Sequence, residues 1–227
     1  MKLVLVGYGR MGKLVEHLAP TYGFEVTGIL NSRTGEGALS NFLPADVAVD
    51  FSTPAALAQR FPALAAAGLS VVIGTTGWQD REAELKDLAA RSGIGVLASP
   101  NFSIGMAVFQ GLVEDAARRF AARKDVGAWI HEAHHSAKKD APSGTALMLR
   151  ATMQALGYSR PIDVSSTRAG SIPGTHEVGF DSVAETVTLS HAVRDRSVFA
   201  RGALEGAKWL RGRRGWFSMK DVIREVT

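Results

Sequence analysis

Two adjacent imidazoles and two lysines fall within the six residues His134-His135-Ser136-Ala137-Lys138-Lys139. Pro142-Ser143-Gly144-Thr145 follows almost at once and opens the apolar run Ala146-Leu147-Met148-Leu149. Imidazole gains and loses its proton near neutral pH, so this is a side chain for acid–base work. The apolar run reads as a helix, with Ser143 and Thr145 as capping residues and Pro142 leading into the first turn. A helix start leaves backbone N–H groups without intrahelical partners. Next to two lysines, such a start is a place to hold an anion, and a carboxylate suits it. The bland alternative is a solvated polar loop before an ordinary helix. The other end of the chain weighs against it.

There Leu3-Val4-Leu5-Val6 is wholly apolar, as in a strand buried on both faces of a parallel sheet. It runs into Gly7-Tyr8-Gly9-Arg10-Met11-Gly12 and then a helical stretch ending near Pro20. Gly-x-Gly-x-x-Gly between strand and helix is a dinucleotide-binding turn: its glycines allow a tight bend, close approach to a pyrophosphate, and close helix–strand packing. A second strand, Glu25 to Leu30, ends in Asn31-Ser32-Arg33, with no carboxylate before Glu36. An acid there would hold the ribose hydroxyls of NADH and repel a 2′-phosphate, whereas Arg33 offers that phosphate a charged fork. NADPH is therefore expected to serve at least as well as NADH, with Arg10 as a second candidate for the phosphate contact.

The elements needed to position these groups follow from the pattern. Val47 to Phe51, Ser70 to Ile73 and Ile94 to Ala98 read as further strands, separated by helices from Pro54 to about Ala66 and around Glu82–Lys86. Such alternation predicts a doubly wound parallel α/β sheet, whose ligands bind beyond the strand C-termini. Those ends carry Gly7, Ser52, Gly74-Thr75-Thr76 and Ser99-Pro100-Asn101. After Ser103 the rhythm changes. A long helix from about Ile104 to Arg123 leads to a strand, Val126 to Ile130, and the His/Lys segment. Ile162 to Thr167, Thr175 to Phe180 and Ala184 to His191 then read as strands of an open sheet, with Arg168 to Gly174 as a glycine-rich loop between them. From Ser197 the pattern is helical again. We read residues 1–103 with 197–227 as the dinucleotide-binding domain and 104–196 as an inserted α+β domain.

Composition narrows the classes. The chain has 227 residues, 46% of them hydrophobic and 21% charged, as in an ordinary globular protein. It has no cysteine, which excludes disulfides, thiolate metal sites and a cysteine nucleophile. No apolar run approaches the ~20 residues of a membrane span, and the apolar stretch after Lys2 is too short for a signal peptide, so a cytoplasmic location is expected. The net charge of +4 is modest, its basic clusters sit at helix ends, and no stacking aromatics accompany them, so no nucleic-acid partner is expected. His131-Glu132-Ala133-His134-His135 matches the zinc-protease pattern, but the preceding residues favour a strand over the required helix, so no metal is expected.

Taken together, the motifs resemble one family, the dihydrodipicolinate reductases (4-hydroxy-tetrahydrodipicolinate reductases) of lysine and diaminopimelate synthesis. The matching pieces are Gly9-Arg10-Met11-Gly12, Asp50-Phe51-Ser52, Val72 through Gly77, Asn101-Phe102-Ser103, Glu132 through His135, Lys138, Asp140 through Ala146, and Gly170 through His176. The resemblance implies a Rossmann domain, an inserted α+β domain for substrate binding and homotetramer assembly, and reduction of a small cyclic dicarboxylate by NADPH or NADH. It also implies roles. His134 would donate the proton, and Lys138 would bind a substrate carboxylate and assist protonation. His135, Ser143, Gly144 and Thr145 would complete the substrate pocket. The cofactor would lie against Gly7, Gly9, Arg10, Met11 and Gly12, against Phe51, Gly74, Thr75 and Thr76, and against Ser99, Asn101 and Phe102, with Arg33 at its ribose end. The glycine loop is one residue shorter than is common in that family. Because the two sets of residues fall in different domains, domain closure is expected to bring the reactants together. Two other functions fit the motifs less well: a Rossmann reductase acting on an amino-acid semialdehyde, and a non-catalytic dinucleotide sensor.

Overall fold

A computed structural model describes residues 1–225. It divides into two compact units, Met1–Ile104 with Ser197–Thr227, and Gly105–Arg196. In the first, β1 (Lys2–Val6), α1 (Arg10–Leu18), β2 (Glu25–Leu30), β3 (Val47–Asp50), α2 (Pro54–Ala66), β4 (Ser70–Ile73), α3 (Glu82–Ser92) and β5 (Gly95–Ala98) alternate as the sequence pattern predicts. Leu3, Val4 and Leu5 are completely buried, because helices cover both faces of the sheet. Every strand pairing is parallel, so the strand C-termini share one edge. Thr53 caps α2, its Oγ1 accepting from the Ala56 N–H at 3.2 Å, with Pro54 in the first turn.

The second unit opens with α4 (Ile104–Ala121), then β6 (Gly127–His134), α5 (Gly144–Ala155), β7 (Ile162–Arg168), β8 (Thr175–Asp181) and β9 (Thr186–Ala192). The sheet order is β7-β6-β8-β9, with β6 and β7 parallel and the other pairs antiparallel. One face is packed: Ile130, Val178 and Phe180 meet Val113 of α4 and Leu149 and Met153 of α5. Residues of the other face alternate outward along β7 and β9. Arg160 closes the end of α4, donating to the Phe120, Ala121 and Val126 carbonyls at 2.8, 3.2 and 2.9 Å.

The chain then adds α6 (Ser197–Trp209), β10 (Gly215–Phe217) and α7 (Met219–Glu225) to the first unit, whose sheet runs β10-β5-β4-β3-β1-β2. Three findings differ from the sequence reading. β10 is only three residues long and carries no periodicity; its place is set by pairing with β5 and by Trp216 packing on Trp78, ring centroids 5.9 Å apart. β6 does not stop at Ile130 but continues to His134, although its last residues are polar. Arg168, read as the start of a loop, is the last residue of β7 and lies in register with His134.

Candidate active site

The extension of β6 builds the second unit's polar cluster. Glu132 and His134 are two residues apart on a strand and so face the same side. Glu132 is completely buried. Its Oε1 accepts from the Ser143 N–H at 3.2 Å and from Arg168 Nη2 at 2.6 Å, and its Oε2 accepts from Arg168 Nη1 at 2.9 Å and contacts His134 Nδ1. Burial pushes this carboxyl up, but hydrogen bonds from Arg168, Ser166, His134 and the Ser143 N–H outweigh burial and bring it down to about 2. It is a permanent anion at neutral pH. His134 is lowered from its ordinary value by burial, against which Glu132 pulls upward; Lys138 and Arg168 push it further down.

His176 of β8 stands edge-on to His134, ring centroids 5.2 Å apart, and its Nε2 lies 3.2 Å from Ser143 Oγ. Burial, with the neighbouring His134, lowers His176 to about 4, so it is neutral throughout the physiological range. Gly174 approaches from the glycine-rich loop: a Cβ there would stand 3.2 Å from His134 Nε2, and its φ of +151° disfavours any other residue.

The segment from His135 to Ser143 is tied locally. Ser136 N donates to the Gly170 carbonyl at 3.2 Å, and Arg168 Nη2 donates to the Asp140 carbonyl at 2.6 Å. Lys138 Nζ meets both oxygens of Asp140 at 2.7 and 2.8 Å. Lys138 holds the Asp140 carboxyl below its usual range, aided by the Gly144 N–H. Ser143 is the N-cap of α5, its Oγ accepting from the Ala146 N–H at 3.2 Å. Pro142 therefore precedes the cap, and Thr145 lies inside the helix, so neither is the capping group. Gly144 is exposed at the helix start, with no atom near where a Cβ would stand. His134 and Lys138 thus belong to one end of the unit, with α5 opening beside them. His135 is half-buried on the turn after β6.

In the first unit a cavity of about 1060 Å³ lies over the shared strand edge, lined by Gly7, Gly9, Lys13, Asn31 through Gly35, Phe51, Ser52 and Arg60 among others. Gly7 has φ +88°, and a Cβ there would fall 2.6 Å from the Phe51 carbonyl. Gly12 packs against the Gly7 carbonyl, and above Gly9, the N-cap of α1, the space is open. This is the cradle a pyrophosphate needs at a helix N-terminus, and no residue of the first turn is acidic. The cavity carries Lys13, Arg33 and Arg60 and no carboxylate among its described lining residues.

Arg33 is exposed, its N–H donating to Asn31 Oδ1 at 2.8 Å in a turn closed by Thr34. Arg60 of α2 braces that turn, its Nη2 donating to the Asn31 and Thr34 carbonyls at 2.8 and 3.1 Å.

Of the residues expected at the cofactor, Gly7, Gly9, Arg33 and Phe51 line the cavity, while Arg10 and Met11 open α1 next to Gly9 and Gly12. Gly74 and the exposed Thr76 follow β4 on the same edge. The ring of Phe51 fills the space beside Gly74. Ser99 and Asn101 follow β5 and bond within their own loop.

Two expected contacts turn inward instead. Thr75 Oγ1 donates to the buried Asp50 at 2.6 Å and accepts from the Ser52 N–H, so it ties two loops together. Phe102 is 1% exposed; its ring meets Phe51 edge-on, and Gly202 of α6 packs on its carbonyl. Its side chain belongs to the core because the loop from Ser99 dips back to start α4.

Sequence reasoning missed Arg168 and Glu132 as partners, His176, Lys13 and Arg60. Glu132 and His176 lie within motifs that the sequence shows; Arg168, Lys13 and Arg60 carry no local signal. His-Glu-x-x-His lies on a strand, and no group of three or more metal-ligating side chains occurs among the described residues. Among those residues no helix is long and apolar enough to cross a membrane.

A Rossmann-type sheet with a basic dinucleotide cradle, joined to a mixed α+β unit holding a carboxylate-bound imidazole, defines a dinucleotide-dependent oxidoreductase. Two family models match in tandem, "Dihydrodipicolinate reductase, N-terminus" over residues 1–102 and "Dihydrodipicolinate reductase, C-terminus" over 105–223. A 4-hydroxy-tetrahydrodipicolinate reductase of Methanospirillum hungatei is 37% identical, across 98% of this chain and 98% of its own. Another, from Thermosipho africanus, is 34% identical over 100% of this chain and 99% of its own. A dipicolinate-bound dihydrodipicolinate reductase from Paenisporosarcina sp. TG-14 has the same fold, with a TM-score of 0.83 at 21% identity over 98% and 99% of the two chains. The chain belongs to the dihydrodipicolinate reductase family, and its cofactor is a nicotinamide dinucleotide.

Proposed function

We infer that this chain reduces 4-hydroxy-tetrahydrodipicolinate to tetrahydrodipicolinate, with loss of water, in lysine and diaminopimelate biosynthesis. The observation that carries the reading is His134 bound through Nδ1 to a buried carboxylate, on the segment that also bears Lys138 and the start of α5. The nicotinamide, when bound, supplies the hydride. The protein holds it through the backbone of Gly7, Gly9, Arg10 and Met11, and shapes the cavity with Phe51.

In the second unit, the Glu132 contact fixes Nδ1 of His134 as a donor and leaves Nε2 for the substrate. Protonated His134 gives up its Nε2 proton as negative charge builds on the substrate. Lys138, with the N–H groups of Gly144 and Thr145 at the start of α5, holds a substrate carboxylate by charge and by the helix dipole. Asp140 occupies Lys138 when no substrate does, and yields to the incoming carboxylate. Ser143 and His135 complete the pocket.

NADPH is the preferred cofactor in this reading, because Arg33 follows β2, Lys13 and Arg60 line the same cavity, and no described lining residue is a carboxylate. The outward-alternating face of β7 and β9 supports assembly as a homotetramer, which light scattering tests directly.

The decisive experiment follows absorbance of reduced cofactor with the freshly generated intermediate as substrate. Oxidation that depends on that dicarboxylate is the expected result. Cofactor binding without oxidation would mark a sensor, and turnover of an amino-acid semialdehyde instead would mark a different reductase.

A further inference from the structure

The proposed acid ends β6 and the proposed carboxylate-binding lysine lies on the loop that follows, and one guanidinium ties the acid's carboxylate to that loop. Arg168 forks onto Glu132, at 2.9 and 2.6 Å, and Glu132 holds His134. The same Nη2 donates to the Asp140 carbonyl at 2.6 Å, on the backbone of the loop that carries Lys138. Nη1 also donates to the Thr167 carbonyl at 2.8 Å, which anchors the fork on β7. We propose that the Glu132–Arg168 pair is the positioning device of this site: Glu132 fixes the orientation and tautomer of His134, while Arg168 sets the reach of the Lys138 loop relative to it. The proposal rests on the reading of His134 as the proton donor.

Geometry argues for a role beyond folding. A buried ion pair offers little net stability over an apolar pair of equal size, because both ions lose their water. Glu132 has both oxygens engaged, so its charge is fully compensated and fixed in place. Its contact with His134 selects one tautomer and one ring orientation. A register shift by one residue along β6 would turn both side chains to the opposite face. Pairing of His134 with Arg168 across β6 and β7 thus keeps the acid, its carboxylate and the fork in line.

The charged and titratable groups facing His134 are Glu132 on its own strand, Arg168 on β7, His176 on β8 with His191 paired behind it on β9, and Lys138 with Asp140 from the loop. Only Glu132 pulls strongly toward the protonated form; Lys138 and Arg168 push against it, and His176 stays neutral. Removing Glu132 and removing Arg168 should therefore move the titration of His134 in opposite directions.

The test uses the full-length protein, wild type and the variants Glu132→Gln, Glu132→Asp, Arg168→Gln and His134→Gln, with single-turnover oxidation of reduced cofactor measured against pH. Glu132→Gln removes the upward pull, so the alkaline limb moves to lower pH by about one unit and the rate near pH 8 falls about tenfold or more. Arg168→Gln moves the limb upward and raises the substrate KM, because the loop bearing Lys138 loses its tie. Glu132→Asp keeps the charge but retracts it, so it stays folded and shifts the limb the same way as the Gln variant. Equal cofactor affinity in every variant confirms an intact first unit. Limbs that stay at the wild-type pH in the Glu132 and Arg168 variants, whatever the loss of rate, would overturn the proposal. A His134→Gln enzyme with an undiminished rate would instead sink the proton-donor reading beneath it.

Discussion

Among the described residues each unit buries one carboxylate completely, and the two are opposite in kind. Asp50 in the first unit gathers three donors on Oδ1: the Ser52 N–H and hydroxyl at 2.9 and 2.8 Å, and the Thr75 hydroxyl at 2.6 Å. Its Oδ2 has no partner among the described residues. Burial raises this carboxyl, and the hydrogen bonds, with Arg60 acting from a distance, do not make up the difference. Glu132 is as deeply buried, but both its oxygens are engaged and one donor is a guanidinium. It stays ionised down to about 2. Equal burial therefore leaves the charge state open, and the partners decide it. Asp50 serves as a knot between the loops after β3 and β4, next to Phe51 and Gly74. Glu132 serves as a fixed negative charge behind the His134 imidazole. A binding site for a large cofactor needs shaped loops; a proton-transfer site needs a field.

The predictions press on that contrast. The largest effect is expected from His134→Gln, which removes the group on which the Glu132 field acts: kcat falls by ~10²–10⁴ while KM and cofactor affinity change little. Steady-state kinetics with cofactor titration checks it, and a near-normal kcat contradicts it.

Next comes stability. Glu132→Gln leaves the partly exposed Arg168 without its counter-ion and destabilises more than Asp50→Asn, which keeps the acceptor oxygen and costs under ~1 kcal/mol. Urea unfolding at neutral pH ranks them, and equal losses would erase the distinction. The pH dependence sharpens it further. Glu132 has a folded value near 2 against 4.5 for a free glutamate, so its contribution is present above about 4.5 and disappears as pH falls toward 2. Asp50 is raised, so acidification relieves its cost before the unfolded chain would take up the proton. Acid unfolding of wild type is expected to lose its steep phase in Glu132→Gln and keep it in Asp50→Asn.

Arg33→Ala acts on the first unit alone. It should lower kcat/KM with NADPH about tenfold and leave NADH unchanged, since a charged hydrogen bond to phosphate contributes ~1.5–3 kcal/mol. A preference for NADH that the substitution does not alter would refute the assignment.

The smallest effect is expected from Asp140→Asn, which frees Lys138 from a pair in which Asp140 is 56% exposed. Such pairs are worth up to ~1 kcal/mol, so the substrate KM should drop by roughly two- to fivefold. A rise in KM would mean that Asp140 holds Lys138 in place rather than competing with substrate.

Local chemistry in the sequence determined a good deal of this protein. The apolar run before Gly7 and the glycine spacing after it specify a strand, a turn and a helix start, because each depends on residues a few positions away. Ser143 caps α5 for the same reason: its hydroxyl reaches the N–H three residues on. The βα rhythm up to Ala98 and its loss after Ser103 likewise separate the two kinds of sheet. Tertiary structure alone decided which polar groups meet. Arg168 and Glu132 are 36 residues apart, Ser143 and His176 33, and Thr75 and Asp50 25. Each of these contacts follows from the register of strands or the reach of a loop, which polar residues do not announce through periodicity. The same holds for β10, whose three residues become a strand only beside β5, and for Phe102, which packs inward although its neighbours mark a binding loop. A carboxylate's burial, and with it the sign of its pKa shift, is set by what the folded chain places around it: Ser52 and His134 are local to Asp50 and Glu132, but the burial itself, the Thr75 hydroxyl and the Arg168 guanidinium come from afar.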